Sequence, residues 1–132
     1  MSEKELIKQA IKAREMSYSP YSGFKVGAAL LSKSGKIYLG ANIENAAFSP
    51  SICAERVAID CAIMDGEKIF DSIAIVGGDK GSFAFPCGVC RQVMAEFSPK
   101  LKIVVATDEN NFKTFFLSDL LPHSFDGDGI KK

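Results

Sequence analysis

Two cysteine motifs that lie well apart in the chain limit the folds open to it. The first is Cys53-Ala54-Glu55, and the second is Pro86-Cys87-Gly88-Val89-Cys90. Two thiols with two residues between them can hold one metal ion, and a third thiol from a distant segment can join them. Zinc prefers four tetrahedral ligands; a structural site fills all four with side chains, whereas a catalytic site leaves one position for water. The sequence therefore predicts a catalytic zinc ion bound by Cys53, Cys87 and Cys90.

Cys61 is the fourth cysteine, and it would close the site if it also bound the ion. Residues 53 to 65 have the apolar pattern of a single helix, and Gly66 follows as a stop signal. Eight residues along a helix span about 12 Å, whereas a zinc–sulfur bond is about 2.3 Å long. Cys53 and Cys61 cannot easily share one ion while this helix is intact. We therefore expect Cys61 to be a small buried apolar residue.

Two charged residues, Glu55 and Arg56, complete the first motif. Glu55 could simply be an acidic residue that interacts favourably with the N-terminal end of a helix. Next to a water at the open zinc position, however, it could act as a general acid and base. Zinc with three thiolates carries a net negative charge, and Arg56 could offset it by donating a hydrogen bond to a ligand thiolate. From its spacing alone, Arg56 could equally be an ordinary surface arginine.

The order of the apolar patterns predicts the fold class. Helical patterns cover residues 2 to 15, residues 53 to 65 and the segment after Pro86. Strand patterns cover residues 26 to 31, 37 to 39, 72 to 77, 101 to 106 and 113 to 116. This order predicts an α/β protein, a three-layer α/β/α sandwich with a mixed five-stranded sheet. The length fits one catalytic domain over residues 1–132.

Charge and composition exclude several classes of protein. Sixteen basic residues balance sixteen acidic ones, so the chain lacks the basic character typical of nucleic-acid binders. No uninterrupted apolar run reaches membrane length, and the N-terminus has the pattern of a charged helix rather than a signal peptide. Four cysteines in such a chain favour metal binding or catalysis over disulfides. We expect a cytoplasmic protein that binds neither nucleic acid nor membranes.

With these motifs, the sequence resembles the zinc-dependent cytidine deaminases, and specifically the small homotetrameric type that acts on nucleosides. The signature of the superfamily is H-x-E followed by P-C-x-x-C, and it has a version with Cys in place of His. This chain has C-A-E and P-C-G-V-C, followed by Arg91 and Gln92. The resemblance extends from Tyr18 to Phe125. One departure is Phe48, where many relatives have tyrosine, so the side chain offers no hydroxyl there.

The resemblance implies a reaction and its cofactor. Cytidine and deoxycytidine would be hydrolysed to uridine and deoxyuridine with release of ammonia, a step of pyrimidine salvage. One zinc ion per subunit would activate the attacking water, and Glu55 would move protons between the water, the base and the leaving amino group.

The resemblance also implies substrate contacts. Asn42 and Glu44 would hold the ribose, although their spacing alone favours a solvated loop. Phe24 would lie against the base; by itself it would more often be a core residue. The backbone at Ala54 would contact the edge of the base, and Phe125 would reach into the pocket of a neighbouring subunit of a homotetramer. The match at Phe24, Asn42 and Glu44 disfavours a deaminase of aminonucleoside antibiotics.

Three other classes remain compatible with parts of the pattern. A closed structural zinc module would bind metal without catalysing a reaction, and mutation of Cys61 would then release the metal. A redox protein would cycle Cys87 and Cys90 through a disulfide, which leaves Cys53 and Glu55 without a role. A polynucleotide deaminase shares the metal chemistry but must bind a phosphate backbone. The zero net charge disfavours that last class.

Overall fold

The computed structural model describes residues 1–78 and 82–130 of the chain. In these ranges the helices and strands follow the predicted order. They are α1 (Glu3–Arg14), β1 (Val26–Ser32), β2 (Ile37–Ala41), α2 (Ala54–Met64), β3 (Phe70–Gly77), α3 (Gly88–Phe97), β4 (Lys102–Asp108), β5 (Asn111–Phe116) and α4 (Leu117–Leu120). No helix in the described ranges combines the length and the apolar character needed to cross a membrane.

The strands form one mixed sheet in the order β2-β1-β3-β4-β5. β3 and β4 pair in parallel, and the other neighbouring strands pair antiparallel. α1 packs on one face of the sheet, where its residues Leu6 and Ile7 are buried. α2 and α3 pack on the opposite face, where Ile59 and Met94 are buried. Helices on both sides of a mixed five-stranded sheet confirm the predicted α/β/α sandwich.

The central strand β3 has apolar residues on both of its faces. Ile73, Ala74, Ile75 and Val76 are all fully buried. A strand that is covered on both faces requires a continuous apolar run rather than an alternation of apolar and polar residues. This run places β3 in the middle of the core, between β1 and β4.

α2 carries the first cysteine motif and has the predicted boundaries. Cys53 is its N-cap residue, and Gly66 adopts φ +89° just beyond its C-terminal end. Cys61 is exposed, so the prediction that it is buried is wrong. The buried residues of the helix are Ala54, Glu55, Ala58, Ile59 and Ala62. Cys61 lies about a quarter of a turn from the middle of this stripe, because each residue advances the helix by about 100°.

α1 and α2 approach the β1–β2 hairpin so closely that only glycine fits beneath them. A Cβ on Gly27 would lie 2.1 Å from the carbonyl oxygen of Ala10, and a Cβ on Gly40 would lie 2.3 Å from that of Ala54. Gly27 pairs with Ala41 across the hairpin, so the two glycines face opposite sides of the sheet. Gly40 therefore sets how close the metal-binding end of α2 lies to the sheet.

Gly27→Ala is expected to lower the free energy of unfolding by about 3 kcal/mol, because the new methyl group would overlap the backbone of α1 rather than a flexible side chain. Chemical denaturation of the purified protein measures this change. Gly129→Ala is the matched control, since a Cβ there meets nothing within 4 Å. A Gly27→Ala variant as stable as the wild type would show that α1 moves away from the sheet at no cost.

Candidate metal and catalytic site

Three cysteine sulfurs meet where the N-terminal ends of α2 and α3 come together. The Sγ atoms of Cys53, Cys87 and Cys90 lie within 4.8 Å of one another, and those of Cys53 and Cys87 are 3.9 Å apart. Tetrahedral zinc with bonds of about 2.3 Å separates two sulfur ligands by about 3.8 Å. The three cysteines are therefore positioned to bind a metal ion, as the motifs predict.

The helix ends leave these sulfurs free to bind metal. Cys53 and Cys87 are the N-cap residues of their helices, and neither side chain accepts a capping hydrogen bond. Cys90 lies in the first turn of α3 and is fully buried. The positive ends of both helix dipoles favour the thiolate form that binds zinc. Among residues 1–78 and 82–130, no fourth Cys, His, Asp or Glu shares this cluster, which leaves one tetrahedral position open.

Hydrogen bonds inside the cluster favour a thiolate at Cys53. The thiol of Cys90 and the guanidinium of Arg56 both bond to the Cys53 sulfur and hold the pKa of Cys53 well below its usual range. Nη2 of Arg56 lies 3.6 Å from that sulfur. The hydrogen bond to Cys53, burial and the negative charge of Glu55 raise the pKa of Cys90. A bound metal would replace the thiol proton in this pair of sulfurs.

Glu55 is buried although it is an acidic residue at the start of a helix. Only 4% of its surface is exposed, and this burial, with the negative charge of Cys53, raises its pKa to about 7. An acid that merely interacts with a helix dipole would lie in solvent, where its charge costs little. A carboxyl with a pKa near neutrality can both accept and donate a proton. These properties favour the acid–base role.

Glu55 opens onto a cavity of about 500 Å³, a volume suited to a small molecule. Besides the metal motif, its lining contains Phe24, Asn42, Glu44 and Ala54, which come from different segments of the chain. The structure thus brings together every substrate contact predicted for this cavity from within one chain.

Asn42 uses most of its side-chain hydrogen bonds to organise the loop before β1. Its Oδ1 accepts from the amide of Val26 at 2.9 Å and from the hydroxyl of Ser17 at 2.5 Å. Its Nδ2 donates to the carbonyl oxygen of Phe24 at 2.7 Å. A side-chain amide has two N–H donors and two acceptor lone pairs. One N–H of Asn42 therefore remains for a ligand.

Glu44 organises the same loop from the other side. Its Oε1 accepts from the amides of Tyr21 and Ser22 at 3.0 and 3.1 Å, and its Oε2 accepts from the hydroxyl of Ser22. These bonds, that of the Ser22 hydroxyl first, lower the pKa of Glu44. A carboxylate has about four acceptor positions, so Glu44 can accept a further hydrogen bond. The sequence did not reveal these loop contacts, because they join residues that are distant in the chain.

Phe125 and Phe48 lie at the surface and do not line the cavity of their own chain. Phe125 is 67% exposed, and its carbonyl oxygen accepts from Nε2 of Gln92 at 2.9 Å. Phe48 is 72% exposed and has a left-handed backbone, with φ +63°. Two large aromatic side chains are thus presented to solvent beside the catalytic end of the molecule.

Arg91 has a role that the sequence motif did not explain. Its Nε donates to the carbonyl oxygen of Pro86 at 2.7 Å, and its Nη1 donates to that of Leu120 at 2.7 Å. Arg91 thereby ties the segment before Cys87 to α4, while the adjacent Gln92 holds Phe125. The signal was present in the sequence, since both residues directly follow the second cysteine motif.

The fold and the site together define the class of protein. Three cysteine sulfurs that leave one metal position open, and a buried carboxyl beside them, are the parts of a zinc-dependent hydrolase. Residues 1–107 match the family model described as the cytidine and deoxycytidylate deaminase zinc-binding region. The chain therefore belongs to this deaminase family, and the prediction made from its motifs is confirmed.

Several cytidine deaminases are similar to the chain over almost its whole length. It is 45% identical over 126 residues to the cytidine deaminase of Halalkalibacterium halodurans, with 95% of each chain covered. It is 43% identical to the cytidine deaminase of Sporosarcina psychrophila, with 95% of this chain and 92% of that protein covered. The crystal structure of cytidine deaminase from Burkholderia pseudomallei superposes with a TM-score of 0.89 at 42% identity, covering 95% of this chain and 100% of that one.

Proposed function

We propose that this protein hydrolytically deaminates cytidine and deoxycytidine to uridine and deoxyuridine, with release of ammonia, in pyrimidine salvage. The observation that carries the proposal is the meeting of Cys53, Cys87 and Cys90 with the buried carboxyl of Glu55 beside one cavity. The relatives named cytidine deaminases support the choice of substrate.

Glu55 moves the protons in this proposal. Cys53, Cys87 and Cys90 would hold one zinc ion per subunit, which would supply the Lewis acidity that activates water at neutral pH. Glu55 accepts one proton from the attacking water and passes it to ring N3, while the water oxygen bonds to C4. It then carries the remaining hydroxyl proton to the amino group, and the C4–N bond breaks to release ammonia. Burial raises the pKa of Glu55, which suits a group that must accept a proton from water.

Arg56 stabilises the ligand thiolates. Its guanidinium donates a hydrogen bond to the sulfur of Cys53. There it would offset the excess negative charge of three thiolates on one zinc ion. Without that charge the sulfurs would donate more electron density to the metal, and the activation of water would weaken. Arg56 thus acts on the reaction through Cys53 and does not touch the substrate.

The remaining lining residues bind the nucleoside. Phe24 lies against the base, and the backbone at Ala54 contacts its edge, because the N-terminal end of α2 offers free N–H donors. Asn42 has a donor to spare and Glu44 has an acceptor position to spare. A single ribose hydroxyl can satisfy both, by accepting from Asn42 and donating to Glu44.

The functional unit in this proposal is a homotetramer whose subunits share active sites. Phe125 and Phe48 are strongly exposed, and large exposed aromatic side chains favour a protein interface. Phe125 reaches into the cavity of a neighbouring subunit. Residues 1–132 act as one catalytic domain, and the enzyme works in the cytoplasm, where thiol ligands stay reduced.

Phe125→Ala is expected to raise KM for cytidine about tenfold, because one buried aromatic contact with the substrate pocket would be lost. Zinc content and kcat should change little, since Phe125 lies outside the metal site. Steady-state kinetics and metal analysis measure both.

A mixed tetramer distinguishes a shared site from a site within one chain. Glu55→Gln subunits supply an intact Phe125, and Phe125→Ala subunits supply an intact Glu55. When the two are coexpressed, mixed tetramers should recover low-KM activity that neither variant shows alone. No recovery in verified mixed tetramers would place Phe125 outside the neighbouring cavity.

The test of the proposed function follows the ultraviolet absorbance of cytidine, deoxycytidine and cytosine with purified enzyme, with and without a zinc chelator. Loss of the amino group changes the chromophore directly. We expect turnover of both nucleosides, slower turnover of the free base, and loss of activity after chelation. Zinc-loaded protein that releases no ammonia from either nucleoside would overturn the proposal and favour a structural zinc module.

A further inference from the structure

We propose that Gly78 is a positioning residue for substrate binding, because it is the surface against which the ring of Phe24 rests. The inference relies on the proposed function, in which Phe24 lies against the base. Gly78 follows the last residue of β3 and is itself absent from the lining of the catalytic cavity. It acts on the cavity through Phe24.

Phe24 lines two cavities. One is the catalytic cavity of about 500 Å³, which also borders Glu55. The other, of about 790 Å³, is also lined by Gly77, Gly78 and Thr107, among others. Phe24 is 46% exposed and belongs to neither buried core cluster, so the apolar core does not fix the position of its ring. Its local contacts therefore decide how far it extends towards the substrate.

The backbone of Phe24 is held in place independently of its ring. Its carbonyl oxygen accepts from Nδ2 of Asn42 at 2.7 Å, and its amide donates to the hydroxyl of Ser22 at 2.9 Å. The next residue, Lys25, accepts at its carbonyl oxygen from the amide of Gly78 at 3.2 Å. Gly78 is thus bonded to the same loop and cannot easily retreat from the ring.

The contact between Gly78 and Phe24 leaves no room for a side chain. A Cβ on Gly78 would lie 2.6 Å from Cε1 and 2.9 Å from Cζ of the ring. Carbon atoms that do not share a bond prefer about 3.5–4.0 Å, so the ring would have to turn away. Of these two cavities, Gly78 lines the one of about 790 Å³ and not the catalytic one. A ring pushed away from Gly78 would therefore move towards the catalytic cavity and narrow the space for the base.

Gly78→Ala is expected to raise KM for cytidine about tenfold, an effect typical of one surplus methyl group in a binding pocket. It should change kcat less than about twofold and leave zinc content unchanged, since the metal cluster is not displaced. Gly78 has φ +72°, so alanine also adds backbone strain. Gly35→Ala is the matched control: Gly35 has φ +96°, and a Cβ there meets nothing within 4 Å. It should lose similar stability and keep the wild-type KM.

A double-mutant cycle with Phe24→Ala tests whether Gly78 acts through the ring. The inference expects Gly78→Ala to raise KM in the wild type and to have no further effect once the ring is absent. An equal rise in both backgrounds, or no rise in the wild type, would overturn it. If Gly78→Ala folds poorly, Gly78→Asn keeps the Cβ and tolerates a left-handed backbone, with Gly35→Asn as its control.

A crystal structure of the Gly78→Ala variant separates this inference from the proposed function. A displaced Phe24 ring is expected whatever the enzyme acts on, and an unmoved ring would overturn the inference. If the ring moves but the wild type does not turn over cytidine, the proposed function fails instead. If Phe24→Ala leaves KM unchanged in an active enzyme, the ring does not contact the substrate and Gly78 has no role in binding.

Discussion

Replacing Glu55 with glutamine should lower kcat for cytidine about 1,000-fold while the protein keeps its zinc. Glutamine has nearly the same shape but cannot accept the proton of the attacking water, and general acid–base catalysis typically contributes about 10²–10⁴-fold. Zinc should stay bound, because the carboxyl of Glu55 is not part of the three-sulfur cluster. Steady-state kinetics and elemental analysis on the same preparation measure the two quantities.

The control for this variant is Glu67→Gln. The carboxylate of Glu67 accepts hydrogen bonds from Ser32 and Ser34 at the far end of α2, so its loss should leave kcat unchanged. Near-normal turnover by Glu55→Gln would remove Glu55 from the proton path. Loss of zinc from the same variant would instead indicate that the carboxyl is needed to hold the metal.

Cys87→Ala should reduce bound zinc from a full complement to a small fraction and abolish activity. A zinc–thiolate site can contribute about 10–16 kcal/mol of folding free energy, so the loss of one of three sulfurs should also lower thermal stability markedly. Cys87 is exposed, and its truncation leaves no hole in the core. Cys90 is fully buried, and its truncation would add the cost of a cavity. Metal analysis and thermal unfolding, each with and without added zinc, measure the effect.

Cys61→Ala is the matched control, because Cys61 is likewise exposed but lies far along α2 from the cluster. It should bind zinc fully and keep its activity. Metal release from Cys61→Ala would revive the closed four-cysteine site that helix geometry disfavours. A fully metallated Cys87→Ala variant would contradict the assignment of Cys87 as a ligand.

Most of the fold could be predicted because its signals are local. The continuous apolar run in β3, the spacing of Leu6 and Ile7 in α1 and the turn at Gly35 each lie within one short segment. Strand ends were less certain. β3 begins at Phe70 rather than at residue 72, and β2 continues to Ala41, because neighbouring strands extend the pairing beyond the apolar run.

The candidate site was predicted in part. The cysteine trio and Glu55 were found because their residue types and spacings are themselves the signal. The exposure of Cys61 was predicted wrongly, because a cysteine on a helix is buried only if its side chain lies on the face that packs against the sheet. The hydrogen bonds of Asn42 and the contact between Gly78 and Phe24 could not be predicted, because they join segments that are distant in the sequence.

The sequence by itself determined which chemistry is available: three thiols at zinc-binding spacing, a carboxyl next to the first of them, and the alternation of helices and strands that builds an α/β/α sandwich. Only the tertiary structure decided how that chemistry is tuned. The raised pKa of Glu55, the lowered pKa of Cys53 and the position of the Phe24 ring depend on burial and on contacts between distant segments. Burial and distance are properties of the folded arrangement, and residue order alone does not specify them.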